Sequence, residues 1–227
     1  VRRGLDFTYM PIDISQPPVE ELAANLHQEY KGELRVQPLI GDNLAALLTV
    51  RDEPGPRSWV ISLGGNLGNY QPAETRNWFA RLHYSLNPGD WLMVGIDLKK
   101  DPRRITAAYN DAGGATARFN LNLLDRINRE LGADFRRDQF QFHSRYDPVT
   151  GEVRSYIVST QEQTVRIPRL GRSFPIRAWE AIYTESSYKY TLQQVEAFAQ
   201  ATGFAVAQHF TDPNDWFVDT LWRAEGA

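Results

Sequence analysis

Two periodicities alternate along this chain, a two-residue apolar repeat and a three-to-four-residue one, and each change marks a new element. Residues 7–14 (FTYMPIDI) are apolar and β-prone and predict a strand closing at Asp13 and Ser15. After Pro17 and Pro18, positions Val19, Leu22, Ala23, Leu26 and Tyr30 recur at helical spacing. They predict a helix with proline in its first turn and Gly32 past its end. Residues 34–40 (LRVQPLI) predict a second strand, broken by Gly41-Asp42-Asn43, then a short helix at 45–48 and a loop at 53–56. Residues 59–63 (WVISL) and 91–97 (WLMVGID) are nearly continuous in their hydrophobicity, as strands buried in a parallel sheet are. Between them Pro72 opens a helix with Trp78, Phe79, Leu82 and Leu86 on one face. This strand–helix–strand rhythm predicts a parallel sheet with right-handed crossovers.

From residue 99 to about 175 the rhythm changes. Residues 120–131 predict a helix with Leu121, Leu124, Ile127 and Leu131 in one stripe and Gly132 as its cap. Residues 153–159 and 164–167 predict antiparallel strands. The tail returns to helix (192–202), strand (204–210) and an alternating strand (216–223), a hairpin closing the edge of the sheet.

The 227 residues carry 25 Lys+Arg against 28 Asp+Glu, a formal charge of −3. Without a basic excess there is nothing to neutralise phosphates, so a nucleic-acid partner is not expected. No apolar run approaches the roughly 20 residues of a spanning helix, so no membrane partner is expected either. The first residues carry no apolar secretory segment, which points to a cytoplasmic protein. With no cysteine, disulfide scaffolds, thiolate nucleophiles and Cys-ligated metals are excluded. The four histidines stand apart without metal-ligand spacing, and His83 reads as a surface residue. No GxSxG elbow and no GxxxxGK[ST] loop is present.

Asp13 and Asp42 each follow a predicted strand, at the edge where open α/β sheets bind ligands. A carboxylate there can accept from a ribose diol or can simply cap a helix. Residues 64–69 (GGNLGN) also follow a strand; glycine lets backbone approach a ligand, and Asn69 offers both a donor and an acceptor. Residues 184–190 (TESSYKY) read most simply as a capped helix start. In an extended chain Glu185 and Ser187 would instead point the same way and could grip one polar ring.

The segments LGGNLGN (63–69), PGD (88–90), GIDLKKD (95–101), AYND (108–111), FNLN (119–122), NRELGADF (128–135) and TESSYKY (184–190) are evidence of another kind. In this order and spacing they resemble the histidine-specific N-methyltransferase family, which uses S-adenosylmethionine and includes the enzyme that methylates histidine in ergothioneine biosynthesis. The resemblance covers nearly the whole chain. It implies an α/β fold: a class I (Rossmann-like) methyltransferase sheet with an inserted α+β substrate-binding cap. Residues 1–98 and 191–227 would form the donor-binding core and 99–190 the inserted lobe. It further implies that the core's first strand and glycine loop lie before Asp13, outside these residues.

Carried over position by position, Asp13 resembles the ribose-binding carboxylate, Asp42 and Asn43 the adenine contacts, and Gly64 a wall of the methyl-donor pocket. Asn69 and Tyr109 resemble the catalytic pair that holds the substrate's amino and carboxylate groups. Phe119 corresponds to an aromatic pocket wall, and Glu185 and Ser187 to the residues that hydrogen-bond the imidazole. Ser155 stands where the family's histidine enzyme has methionine against the substrate ring. The implied reaction is methyl transfer from S-adenosylmethionine to the α-amine of histidine or a related aromatic amino acid. The alternatives are a truncated or non-catalytic ligand-binding relative and a methyltransferase for an indole-type amine. An unpaired edge at residues 7–14 would invite a homodimer.

Overall fold

The computed structural model describes residues 6–51 and 57–226; the loop expected at 53–56 and the first five residues lie outside the described residues. The N-terminal third is built of short parallel pairs around two helices. Strands β1 (Thr8–Tyr9) and β2 (Ile12–Asp13) precede helix α1 (Gln16–Glu29); β3 (Arg35–Val36) and β4 (Leu39–Ile40) precede α2 (Asn43–Arg51). β1 pairs with β3 and β2 with β4, both in parallel. Each expected strand is thus two short pieces, split where Pro11 and Pro38 remove a donor. Backbone bonds still cross the break, Leu39 N donating to Pro11 O at 2.9 Å and Gly41 N to Asp13 O at 3.0 Å. Lys31 and Gly32, both at positive φ, end α1 as expected.

The main sheet contains β5 (Trp59–Ser62) and β6 (Trp91–Asp97), and on the far side β12 (Phe204–Thr211) and β13 (Phe217–Ala224), in the order β12-β13-β6-β5. β5 and β6 run parallel, and the C-terminal hairpin adds antiparallel to β6 through β13. Helices α3 (Pro72–Tyr84) and α6 (Leu192–Ala201) supply Phe79, Leu82, Val195 and Ala199 to a core that also holds Leu92, Val94, Ile96 and Trp222. The Phe79 and Trp222 rings lie 4.6 Å apart. α3 begins where Glu74 turns back to accept from the Gln71 N–H at 2.8 Å. Gly95 is obligatory in β6, because a Cβ there would lie 2.9 Å from the Phe217 ring. One expectation is corrected: β5 is not buried on both faces. It pairs with β6 alone among the described residues, and Trp59 (59%), Ile61 and Leu63 are exposed on one face that no described helix covers. His83 is half-buried on α3. Its ring meets Phe204 edge-on, and Nε2 lies 3.0 Å from the Glu225 carbonyl.

Residues 99–190 hold α4 (Pro102–Tyr109), α5 (Ala115–Leu131), β7 (Phe140–Asp147), β8 (Glu152–Ser159), β9 (Gln163–Ile167), β10 (Arg172–Ile176) and β11 (Ala181–Tyr188). The order β11-β8-β7 makes an antiparallel sheet, and β9 and β10 form a separate hairpin. Their core is distinct, built on Leu124, Phe140, Ile157, Val165, Ile167 and Ile176. Both connections of this region to the main sheet lie side by side. Lys99 N donates to Tyr190 O at 2.8 Å, and Tyr190 N to Asp97 O at 3.1 Å. α5 starts five residues before the predicted helix, because Asp111 accepts from the Ala115 and Thr116 N–H groups at 2.7 and 2.9 Å. Those bonds hold the Asp111 carboxyl down at about 2. No helix of the described residues is long and apolar enough to cross a membrane.

Candidate active site

Residues 184–190 do not begin a helix. They extend through β11 and out of it, and α6 is capped later by Thr191, whose Oγ accepts from Gln194 N at 3.2 Å. The reason lies in pairing: β11 is held along β8, with a register shift between Tyr183 and Glu185. Such a shift re-aims the side chains beyond it. Glu185 faces Ser155 across the ladder and Ser187 faces Val153, while Ser186 and Tyr188 face Arg154 and Glu152. The strand's two faces therefore do different work.

The Ser186–Tyr188 face closes on Glu152. Ser186 Oγ and Tyr188 Oη donate to Glu152 Oε1 at 2.6 and 2.9 Å, and Arg154 Nε does so at 2.8 Å. Burial raises the Glu152 carboxyl, but the three donors outweigh it and hold the group below its ordinary value. Burial and the neighbouring carboxylate push the Tyr188 phenol up to about 12. This face anchors the strand.

On the other face Glu185 and Ser187 are both half-buried. Among the described residues Glu185 is a half-buried carboxylate with no hydrogen-bond or ion-pair partner. Ser187 Oγ accepts from Lys189 Nζ at 2.7 Å, and the same ammonium donates to Tyr109 Oη at 2.8 Å and reaches Asp97 Oδ2 at 2.9 Å. Lys189 is only 4% exposed. Burial disfavours its charge, but Tyr109 and Asp97 more than compensate and raise its pKa. The turn at Asn66–Asn69 packs on this strand end: a Cβ on Gly68 would sit 3.0 Å from Tyr188 O and 3.3 Å from Ser187 Oγ. Asn69 follows directly, with an exposed side chain. Beside Tyr109 a cavity of about 390 Å³ opens between the end of β6 and α4, walled by Asp97, Lys100, Arg104 and Trp216. Arg104 stacks over the Trp216 ring at 4.5 Å.

Of the residues singled out in the sequence, the structure brings Tyr109, Ser187, Glu185 and Ser155 together, with Asn69 at their border. Ser155 is 1% exposed and lies opposite Glu185 on the neighbouring strand. Phe119 stands on the outer face of α5, 74% exposed, while its neighbour Asn120 accepts from Thr184 Oγ1 on β11. Asp13 and Asp42 form a second group at one end of the β2–β4 pair. Asp13 Oδ1 accepts from Ser15 N at 2.8 Å, and Asp42 Oδ1 from Ala45 N at 3.0 Å. Asn43 follows at the start of α2, and Gly64, at φ +93, has open space where a Cβ would be. Sequence reasoning missed Lys189 and Asp97. No local signal pointed to them: a lysine is seldom buried unless paired, and the partners of Lys189 lie far along the chain.

A family model described as histidine-specific methyltransferase, SAM-dependent, matches residues 2–224. The chain belongs to that family. It is 33% identical over 210 residues to the histidine N-alpha-methyltransferase of Mycobacterium tuberculosis, covering 92% of this chain and 64% of that protein. To the same-named protein of Mycolicibacterium smegmatis it is 32% identical over 205 residues, covering 90% and 63%. To ergothioneine biosynthesis protein 1 of Neurospora crassa it is 25% identical over 97% of this chain and 25% of that protein. The chain thus spans just under two thirds of the two mycobacterial proteins. Among solved structures, the CcbJ methyltransferase of Streptomyces caelestis aligns over 96% of this chain and 74% of its own, at 13% identity and a TM-score of 0.48. Family membership makes the α/β core that of an S-adenosylmethionine-dependent methyltransferase. Among the described residues no cluster of His, Cys, Asp or Glu could hold a metal.

Proposed function

We propose that this protein methylates the α-amine of histidine with S-adenosylmethionine as donor. The observation that carries the reading is Glu185, a half-buried carboxylate without a partner, on the same strand face as Ser187 and next to Tyr109 through Lys189. A pocket that leaves a carboxylate unpaired in its wall discriminates strongly for a ligand that supplies an N–H there.

The residues present fit the nucleoside end of the donor. Asp13 has one carboxylate oxygen engaged by Ser15 N, leaving the other for a ribose diol. Asp42, Asn43 and the open space at Gly64 adjoin the strand ends where such ligands sit. When bound, S-adenosylmethionine supplies a methyl group already activated on sulfonium. This chain's residues then have positioning to do. Asn69 and Tyr109 hold the amino acid's polar end so that the neutral amine's lone pair faces the methyl group. Oriented encounter of this kind is worth about 7–11 kcal/mol, so no strong general base is assigned. Glu185 and Ser187 fix the ring end, which sets the reach of the amine.

The test is calorimetric titration with histidine, alongside transfer of labelled methyl from S-adenosylmethionine. Wild type binds and methylates histidine. Glu185→Gln, which keeps the shape but loses the charge, weakens histidine by about tenfold or more. Failure of wild type both to bind and to methylate histidine would sink the reading.

A further inference from the structure

An ammonium has three N–H donors and no lone pair. In Lys189 all three are spent: on Tyr109 Oη at 2.8 Å, Ser187 Oγ at 2.7 Å and Asp97 Oδ2 at 2.9 Å. Tyr109 and Ser187 therefore both receive a hydrogen bond from the same buried cation. A hydroxyl that accepts from an ammonium must direct its own proton elsewhere. Among the described residues neither hydroxyl has another hydrogen-bond partner to take that proton. Each hydroxyl keeps its proton and one lone pair for the site, and the bond from the ammonium polarises it into a stronger donor and a weaker acceptor. Glu185, on the same strand face as Ser187, can only accept while ionised.

We propose that Lys189 is a positioning residue that biases the hydrogen-bond sense of the amino-acid pocket, polarising Tyr109 and Ser187 toward donation beside the acceptor Glu185. The proposal rests on the histidine reading and deepens it. The pattern is complementary to a neutral imidazole, whose N–H meets Glu185 and whose bare nitrogen meets Ser187. An imidazolium has no bare nitrogen to accept from Ser187, and its second N–H would meet an oxygen already weakened as an acceptor by the Lys189 bond. It would also bring a second positive charge close to the Lys189 ammonium. The donor from Tyr109 suits a carboxylate oxygen of the amino acid and leaves the amine free to react.

The fold holds Lys189 rigidly for this task. Its N–H donates to Gly151 O at 2.8 Å, and a Cβ on Gly151, which has φ +80, would collide with the Lys189 carbonyl. Asp97 is itself held by Lys100, Nζ to Oδ1 at 2.6 Å, so the counter-charge cannot swing away. The four groups come from β6, α4, β11 and the segment after β11. The donor pattern therefore exists only when the main sheet and the inserted region are assembled.

The experiment has three arms. In the first, wild-type affinity for histidine is followed from pH 5.5 to 7.5, below the range where the α-amine titrates. Affinity rises about tenfold as the imidazole, with an ordinary pKa near 6.5, loses its proton. In Lys189→Met the Ser187 hydroxyl loses that polarisation and the site loses the ammonium charge, so the pH dependence flattens to about twofold or less. Lys189→Arg, which keeps donors but not their tetrahedral spread, recovers part of the slope. A purely structural role for Lys189 would lower affinity equally at both pH values.

The second arm needs no variant. A pyrrole-ring analogue of histidine keeps one N–H but lacks the bare nitrogen, and it binds wild type about tenfold or more weaker than histidine. Equal binding of the two ligands overturns the proposal even where Lys189→Met fails to fold.

The third arm needs no ligand. The nitrogen-15 resonance of the Lys189 side chain is recorded in wild type, Tyr109→Phe and Ser187→Ala. It keeps its ammonium form past pH 10.5 in wild type and shifts in each variant. If wild type binds no histidine, the histidine reading falls and this arm alone decides whether Lys189 holds both hydroxyls. A Lys189 signal indifferent to both substitutions overturns it.

Discussion

Tyr109, Ser187, Lys189 and Asp97 lie as far as 92 residues apart along the chain and meet through side-chain bonds across four segments. Asp13, Asp42 and Asn43 contrast with them. Asp13 binds the backbone two residues on, Asp42 the backbone three residues on, and all three are exposed. One group is assembled by the whole fold; the other is set by local turns. The difference teaches where selectivity can reside. A pocket that must read one ring needs donors and acceptors whose sense is fixed, and that requires buried, fully spent partners. A nucleoside site at strand ends can work with exposed carboxylates, because the strand termini themselves bring them together.

The contrast predicts unequal responses to truncation. Ile157, on β8 beside β11, is fully buried in the core of this region. Ile157→Ala should cost about 2–5 kcal/mol in denaturant unfolding, since a cavity forms in the core beside the strand that carries Glu185 and Ser187. Ile61, on the exposed face of β5, is its counterpart: Ile61→Ala should stay within about 0.5 kcal/mol of wild type. Equal losses at the two positions would show that something covers the β5 face, and the two regions would then no longer differ in this way.

A smaller effect separates the two faces of β11. Glu152→Ala leaves the Ser186 and Tyr188 hydroxyls without their acceptor and should cost about 1–3 kcal/mol. The pH dependence has a definite sign. The folded carboxyl titrates below its ordinary value of 4.5. Its contribution is therefore complete above that value and is lost as pH falls through the folded pKa. Wild type and Glu152→Ala unfolding curves should converge on acidification below pH 4.5 and remain apart at neutral pH. Curves that stay parallel down to pH 2 would show that the Glu152 charge does not anchor the strand.

The main sheet and its helices were legible because their signals are long and periodic. Residues 91–97, the stripe at Trp78, Phe79 and Leu82, and the C-terminal hairpin form as their patterns predict. The short β1–β4 pieces were blurred by Pro11 and Pro38, which interrupt strands without ending them. Residues 184–190 misled, because hydroxyls and a carboxylate before an apolar helix mimic a cap. Pairing with β8, invisible in local sequence, drew them into a strand. The candidate residues Asn69, Tyr109, Glu185 and Ser187 were proposed through family motifs rather than spacing. Lys189 was out of reach because its meaning depends on Asp97 and Tyr109, each about 80 or more residues away, and a lysine by itself reads as surface.

The smallest effect lies on the locally built side. Asp42 caps α2: its Oδ1 accepts from Ala45 N at 3.0 Å, and its carbonyl takes the first helical bond from Ala46 N at 2.9 Å. Asp42→Ala should cost about 1 kcal/mol, and Asp42→Asn, an equally good cap, a few tenths at most. The loss should also stay where it is made. Amide exchange should quicken for Ala45 and Ala46 in Asp42→Ala, while β11 keeps its wild-type protection, because no bond of the Asp42 cap reaches that strand. The same substitution should leave histidine affinity unchanged and weaken S-adenosylmethionine. Altered protection in β11, or a loss of histidine affinity equal to that of the donor, would mean that the two sites share one scaffold after all, and the division between assembled and local chemistry would have to be abandoned.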